Sequence, residues 1–490
     1  MCLVAGFMTL LDVSIVNVAL PSLKAGLHAS PDDLQWVLSG YALAFGLVLV
    51  PAGRLGDTHG RRTAFMIGLA AFTLTSALAG VATGPAWLVA ARFAQGLASG
   101  ILNPQVAGLI QQLFHGRERG RAFGLLGAVI GLSTAIGPLL GGLLISAGGP
   151  TDGWRWVFYV NVPIGLAALP AAYRLLPSHR EMQARERKQD RDARGSRPEG
   201  LDPVGVMLLA MGVVLILLPL VEEQQWRGPL KWLLLPAAAL VLAVFVLWER
   251  RRQNRADPLV DLALFRFRSY SLGSAIALVY FSGFTAIFFI FTLYVQAGLG
   301  YSALLAGAAM TPFAVGSGIA SALGGRVVNR LGRPLITAGL VMVGIGLGGT
   351  LLAVHMVPGR EVGWATVAPL AVAGLGSGLV IAPNQTITLS EVPVRYAGSA
   401  AGVLQTAQRI GSAVGIAAVG SVFFAAVGSA AAGPHTGGGQ PNDPGRWADA
   451  FQRGLVVAIG LVLLALLVAV YDVVATHRQG TAHRQTQPQR

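Results

Sequence analysis

A single acidic residue, Asp12, lies midway along an apolar run near the start of the chain. A carboxylate at the centre of a membrane-spanning helix costs about 2.5–3.5 kcal/mol on insertion scales, so Asp12 is expected to face a cavity or a charged partner. Burial and a neighbouring cation together tune how readily such a carboxyl takes up a proton. The sequence therefore predicts that Asp12 carries protons. The alternative is a structural hydrogen-bonding role.

A basic residue, Arg92, lies inside another apolar run, and Gln95 follows three residues later on the same helical face. Arginine does not readily lose its charge, so Arg92 is a natural partner for an ionised Asp12. Together these three side chains form a predicted proton-coupling set. The alternative for Arg92 is that its long side chain extends to the outer membrane interface.

A charged turn, residues 53–62, lies between two apolar runs, and a weaker copy recurs at 325–334 with Asn329 in place of the acid. Two copies of one pattern predict two related halves, as many transporters have. We expect the first copy to be a cytoplasmic gating loop. The alternative is a passive loop with ordinary positive charge. The residues assigned to gating are Gly53, Asp57, Gly60, Arg61 and Arg62.

The fifth apolar run contains an unusual combination of one proline and several glycines. Proline interrupts the helical hydrogen-bond ladder, and glycines leave a smooth, bendable surface against a neighbouring helix. Packing alone explains the glycines but not easily the whole pattern. The residues of this pattern are Gly131, Gly137, Pro138, Gly141 and Gly142.

A second deep arginine, Arg409, lies in the thirteenth apolar run, one turn after Gln405. No acid lies deep in that half of the chain to neutralise it, so it is expected to repel cations and to attract an anionic or phenolic group. Both residues are therefore candidate substrate contacts, and they predict a neutral or weakly acidic aromatic substrate. The alternative is that Arg409 only braces neighbouring helices.

Membrane-spanning helices must position these residues, since the chain is 54% hydrophobic and only 12% charged. About 20 apolar residues are needed to cross the hydrocarbon core. We predict fourteen spans, at residues 3–22, 34–53, 64–83, 86–112, 122–147, 156–176, 203–222, 231–249, 272–297, 303–325, 335–355, 364–390, 395–425 and 451–474.

The net charge of +14 arises from loops on one side of the membrane. With a cytoplasmic N-terminus, most of the 36 Lys and Arg residues fall in inner segments, as positive-inside topology requires, and nucleic-acid binding has no support. The single cysteine excludes a disulfide framework or thiolate cluster. No phosphate loop, dinucleotide fingerprint or metal-ligand spacing is present, so we expect no catalytic residue, cofactor or metal.

Several of these patterns point to one family. The charged turn resembles the loop signature of the major facilitator superfamily, and residues 92–100 resemble its fourth-helix motif, whose arginine is associated with proton coupling. Residues 131–142 resemble the antiporter motif of its exporters. With segments 154–165 and 258–265 and fourteen apolar runs, nearly the whole chain resembles the fourteen-helix drug:proton antiporter branch.

The resemblance implies an all-α membrane protein with two pseudosymmetric six-helix bundles and two inserted central helices, working by alternating access. It also implies that the charges of the first loop latch the bundles together, and that Asn329 leaves the second copy without an equivalent latch. The expected divisions are an N-terminal bundle 1–176, a charged cytoplasmic linker 177–202, inserted helices 203–249, a cytoplasmic interfacial segment 250–271, a C-terminal bundle 272–474 and a cytoplasmic tail 475–490.

The function that follows is proton-driven antiport, exporting a hydrophobic or amphipathic small molecule such as a drug or antibiotic. The expected partners are a small hydrophobic or aromatic substrate, protons and the lipid bilayer. The expected location is a bacterial cell membrane, with a monomeric chain and both termini in the cytoplasm. Two alternatives stay open: export of a metabolite such as an amino acid, sugar or siderophore, and a membrane receptor or scaffold that does not transport.

Overall fold

The structure is a computed structural model. It describes residues 1–149, 151–177, 202–222, 226, 228–252, 258–357, 359–429 and 444–485. The predicted charged linker, 177–202, lies outside the described residues except for its first and last positions. Throughout the described part of the chain the regular structure is helical and no strand occurs, which confirms the predicted all-α class.

The described residues of the first part of the chain form nine α-helices, because its long apolar runs are separated by glycine, proline and charged residues. The chain enters α2 through a capping box, in which Ser30 and Asp33 satisfy one another's backbone N–H groups. Gly60, with φ of 99°, makes the sharp turn into α3. The helices are α1 Cys2–Leu27, α2 Pro31–His59, α3 Arg61–Gly80, α4 Pro85–Leu113, α5 Gly116–Gly148, α6 Gly153–Tyr159, α7 Asn161–Leu175, α8 Pro203–Val221 and α9 Leu234–Arg252.

In the second part of the chain, the residues that the structure describes form seven further α-helices and several short elements. A 3₁₀ turn at Leu262–Arg266 lies inside the segment for which the sequence predicts a short interfacial helix. The helices are α10 Arg268–Leu293, α11 Ala303–Leu331, α12 Arg333–Met356, α13 Val362–Ala365, α14 Val367–Thr388, α15 Ala397–Ser429 and α16 Pro444–Gln485. The last helix therefore continues through part of the predicted tail, 475–490.

Thirteen of the described helical segments are long and apolar enough to cross a membrane. The predicted span that is missing from these thirteen is α4, which is 29 residues long but carries Arg92 and several glutamines. Those polar residues lower its hydropathy, although its length exceeds what a bilayer requires. Polar side chains inside a helix of this length make α4 a candidate for carrying functional residues.

The chain divides into two compact units that do not follow the sequence halves. The first consists of residues 1–115, 132–266 and 392–413, and the second of residues 116–131, 267–391 and 414–490. In the first unit, α2 and α3 pack on α4, and α8 packs on both α9 and α2. In the second, α14 packs on α11 and α12, and α16 packs on α10 and α12. The predicted domain boundaries stay a prediction.

Candidate functional site

The three predicted proton-coupling residues meet in the interior of the first unit. Asp12 Oδ2 lies 2.6 Å from an Arg92 guanidinium nitrogen, and Asp12 Oδ1 accepts a hydrogen bond of 2.9 Å from Gln95 Nε2. Gln95 Oε1 in turn accepts a hydrogen bond of 2.7 Å from Arg92. All three side chains are at most 1% exposed. A fully buried pair of opposite charges joined by hydrogen bonds is the arrangement that makes a buried carboxylate tolerable.

Two further residues that sequence reasoning missed complete this cluster. Asn161, at the start of α7, donates to Asp12 Oδ1 at 3.1 Å and to Ser76 Oγ at 3.2 Å. Ser76 on α3 also accepts from Gln95 at 3.2 Å and donates to the carbonyl oxygen of Phe158. A sequence signal existed for Asn161, since it interrupts an apolar stretch. No sequence signal distinguished Ser76, because serine is common in membrane helices.

Several contacts hold Arg92 in the interior of the first unit. Its Nε donates to the carbonyl oxygen of Val37 at 3.2 Å, and its guanidinium lies 4.2 Å from the centre of the Tyr41 ring. The Tyr41 hydroxyl donates to Ser99 Oγ at 2.8 Å. Cation–π contact and the ion pair together compensate the desolvation of a permanent charge.

The acid of the predicted gating loop, Asp57, caps a helix that begins more than 300 residues later in the chain. Asp57 accepts hydrogen bonds of 2.9 Å and 2.8 Å from the backbone N–H groups of Gly398 and Ser399, in the first turn of α15. The N–H groups of a first turn have no partner within the helix, and the helix dipole adds positive potential there. A carboxylate is therefore well suited to this position.

The neighbouring loop residues support the same contact. Arg61 binds Asp57 at 2.7 Å and also donates to the carbonyl oxygen of Val394. A methyl group at Gly53 would collide with the carbonyl oxygen of Gly398, so only glycine permits this approach. Arg62 is separate from this contact: it donates to the carbonyl oxygen of Tyr173 on α7 and lies over its ring.

The second copy of the loop has different partners, all within the second unit. Asn329 donates to the carbonyl oxygen of Gly116 at 3.3 Å. Arg333, which corresponds to Arg61 in the repeat, forms an ion pair with Asp472 on α16, and Arg268 lies 3.4 Å from the same carboxylate. The acid missing at Asn329 is thus replaced by one from a distant helix.

The glycines of α5 do not share one environment. A methyl group at Gly131 would lie 2.7 Å from the carbonyl oxygen of Ala314 in the second unit. In the first unit, a methyl group at Gly137 would collide with Ser14 Oγ, and one at Gly141 would lie 2.9 Å from Ile15 Cγ1. Gly142 faces open space. Pro138 lies inside the helix. Two of the predicted motif glycines therefore lie against α1, the helix that carries Asp12.

We expect Gly137→Ala to destabilise the protein by about 1–3 kcal/mol, since it overpacks the contact with Ser14. The matched control is Gly142→Ala, where the added methyl group meets no neighbour within 4 Å. Both changes raise helix propensity by about 1 kcal/mol, so their difference isolates the packing effect. Thermal unfolding of the purified variants in one detergent measures it. Equal melting temperatures would contradict the tight α5–α1 contact.

The candidate substrate contacts, Gln405 and Arg409, lie together on α15 and are half-buried in the first unit. The Arg409 guanidinium lies 4.3 Å from the centre of the Phe45 ring on α2, and Gln405 donates to the carbonyl oxygen of Asn103 on α4 at 3.4 Å. Sequence reasoning identified neither Phe45 nor Asn103. Among the described residues, no group of three or more His, Cys, Asp or Glu side chains is arranged to hold a metal ion.

Comparison with known proteins identifies the family of the chain. Residues 2–416 match the sequence pattern of the Major Facilitator Superfamily. The chain is 39% identical over 416 residues to the "Probable actinorhodin transporter" of Streptomyces coelicolor, covering 84% of this chain and 69% of that protein. It is 34% identical over 414 residues to the "Tetracenomycin C resistance and export protein" of Streptomyces glaucescens, covering 83% of this chain and 72% of that protein.

The fold is also similar to that of a solved transporter. The structure of the proton:xylose symporter XylE of the major facilitator superfamily superposes with a TM-score of 0.63 at 15% identity, over 94% of this chain and 93% of that one. At this identity the likeness shows the fold alone. With the family match and the relatives named for antibiotic export, it leads to one conclusion: the chain belongs to the Major Facilitator Superfamily and is a membrane-spanning transporter of its drug-efflux group, not an enzyme.

Proposed function

We propose that this transporter exports hydrophobic or amphipathic small molecules in exchange for protons, by alternating access, with Asp12 as the proton carrier. The observation that carries the proposal is the buried cluster of Asp12, Arg92, Gln95 and Asn161, which joins α1, α4 and α7. The relatives named for actinorhodin and tetracenomycin C support the export of small antibiotics. Asp12 supplies a titratable group, and Arg92 supplies a charge that does not titrate.

Protonation of Asp12 changes the balance of this cluster. A neutral carboxyl can still accept hydrogen bonds from Gln95 and Asn161 at Oδ1, but it no longer forms an ion pair with Arg92 at Oδ2. A buried charge that loses its partner costs about 3–5 kcal/mol, so the contacts among these helices favour a different arrangement. Asp12 therefore binds a proton with different affinity in the two conformations, which is what coupled transport requires.

The proposed setting is a bacterial cell membrane, with a monomeric chain and both termini in the cytoplasm. The bias of Lys and Arg toward alternate connecting segments supports this orientation. In it, the loop of residues 53–62 and the start of α15 lie at the cytoplasmic side. The transporter then takes its substrate from the cytoplasm and needs no cofactor, because the proton gradient drives each cycle.

The experiment begins with a pump-deficient bacterial host that expresses the chain and grows on a panel of hydrophobic antibiotics. For a compound that is tolerated, inside-out vesicles are given an acidic lumen, and uptake of the compound is measured. We expect accumulation that a protonophore abolishes, since the gradient is the driving force. Protease digestion of an epitope at the C-terminus of the same vesicles reports the orientation. Accumulation that is indifferent to the gradient would rule out antiport.

A further inference from the structure

Two aromatic rings on α2 join the two arginines deep in the first unit. The guanidinium of Arg92 lies 4.2 Å from the centre of the Tyr41 ring, and that of Arg409 lies 4.3 Å from the centre of the Phe45 ring. The two rings stack with centres 6.1 Å apart and planes inclined by 25°. They are one helical turn apart, so a single face of α2 presents both to the arginines. The stack therefore runs from the proton-binding cluster to Arg409.

The two arginines differ in how their charges are compensated. Arg92 is 1% exposed and hydrogen-bonds to Asp12, Gln95 and the backbone of Val37. Arg409 is half-buried, and in the described part of the chain no acidic side chain pairs with it. A guanidinium has five N–H donors and no acceptor, and it binds anionic or phenolic oxygens through strong, charge-assisted hydrogen bonds. Arg409 is therefore equipped to bind an acceptor that the protein itself does not supply.

Next to Arg409 lies a second polar group with spare bonding capacity. Gln405 donates to the carbonyl oxygen of Asn103, while its Oε1 is buried without a hydrogen-bond partner among the described residues. Asn103 is fixed in turn by a bond of 3.0 Å from its Nδ2 to the carbonyl oxygen of Ser99. The amide of Gln405 is thus held in place one turn before Arg409, with an oxygen that is ready to accept from a hydroxyl.

We propose that Arg409, Gln405 and Phe45 form a subsite for an aromatic ring that carries a phenolic or other acidic oxygen. The guanidinium of Arg409 donates to that oxygen, the Oε1 of Gln405 accepts from a neighbouring hydroxyl, and Phe45 positions the guanidinium by stacking on it. A dication has no counter-charge here and is repelled by Arg409. The subsite names the substrate class of the proposed exporter, so it rests on that proposed function.

The test measures equilibrium binding to the purified full-length protein by calorimetry. The probes are 1,8-dihydroxyanthraquinone, its dimethyl ether and the dication dequalinium. The wild-type protein is expected to bind the dihydroxy compound most tightly. Arg409→Gln is expected to weaken that binding about tenfold or more, because a hydrogen bond to a charged group contributes about 1.5–3 kcal/mol. The matched control is Arg174→Gln, at an exposed arginine near the end of α7, and it is expected to leave binding unchanged.

Two further variants keep the test informative if Arg409→Gln does not fold. Gln405→Ala and Phe45→Leu are each expected to weaken binding of the dihydroxy compound by several-fold, with smaller effects on the ether. Dequalinium binding as tightly as the dihydroxy compound would overturn the subsite. So would failure of the wild-type protein to bind that compound, or unchanged affinity in folded variants at all three positions.

Failure of the subsite is distinguishable from failure of the proposed function. A protein that binds the dihydroxy compound through Arg409 but shows no gradient-driven transport contradicts the function and leaves the subsite in place. A proton-driven exporter that prefers dequalinium contradicts the subsite alone. Measuring binding without a gradient, and transport with one, separates the two.

Discussion

Asp12→Asn is expected to abolish gradient-driven export while leaving exchange of substrate across the membrane without a gradient. The substitution removes the group that takes up and releases the proton, but it retains nearly the same shape and one accepting oxygen. Arg92 then lacks its counter-charge, so we also expect a loss of stability of about 3–5 kcal/mol. The measurement compares uptake into acid-loaded vesicles with exchange at equal pH, for a compound that the wild-type protein exports.

Two further variants serve as controls for this result. Asp152→Asn makes the same chemical change at an exposed acid that pairs with Arg155 at 3.1 Å, and it is expected to behave like wild type. The double variant Asp12→Asn with Arg92→Gln removes both charges, so it is expected to recover stability without recovering coupling. Export by Asp12→Asn that still follows the pH gradient would show that another group carries the proton.

Asp57→Asn is expected to release the start of α15 from the loop of residues 53–62. Asparagine offers one accepting oxygen instead of two, and its amide group would face N–H donors of Gly398 or Ser399 and the guanidinium of Arg61. Losing charge-assisted bonds at a helix N-terminus costs on the order of 1–3 kcal/mol, which corresponds to a shift of the conformational equilibrium of about 5- to 150-fold.

A cysteine placed at Ala401 reports this shift, because that position is fully buried in the first turns of α15. The background carries Cys2→Ser, which removes the native thiol. We expect a membrane-impermeant maleimide to label the reporter faster in Asp57→Asn than in the otherwise identical parent protein. Arg61→Gln should act in the same direction, and Asp152→Asn should not. An unchanged labelling rate with normal transport would show that the loop is only a passive connection.

The sequence by itself determined the membrane class, the helical spans and the identity of most polar residues of the site. These features follow from local properties: a run of about 20 apolar residues must be helical in lipid, and a charge inside such a run is too costly to lack a partner. Asp12 and Arg92 were identifiable on this ground, and Gln95 from its position three residues after Arg92 on the same helical face. The span predicted at residues 86–112 is α4, which is long enough to cross a membrane although its polar residues lower its hydropathy.

Only the tertiary structure decided which helices bring these residues their partners. Asp57 meets the N-terminus of α15 across 341 residues of chain, and Asn161 reaches Asp12 across 149. Helical periodicity specifies which face of a helix a residue occupies, but which neighbour that face meets depends on packing among all the helices. For the same reason the sequence identified Arg409 but not its contact with Phe45. The rings of α2 that lie between Arg409 and Arg92 are apparent only from the packing of α2, α4 and α15.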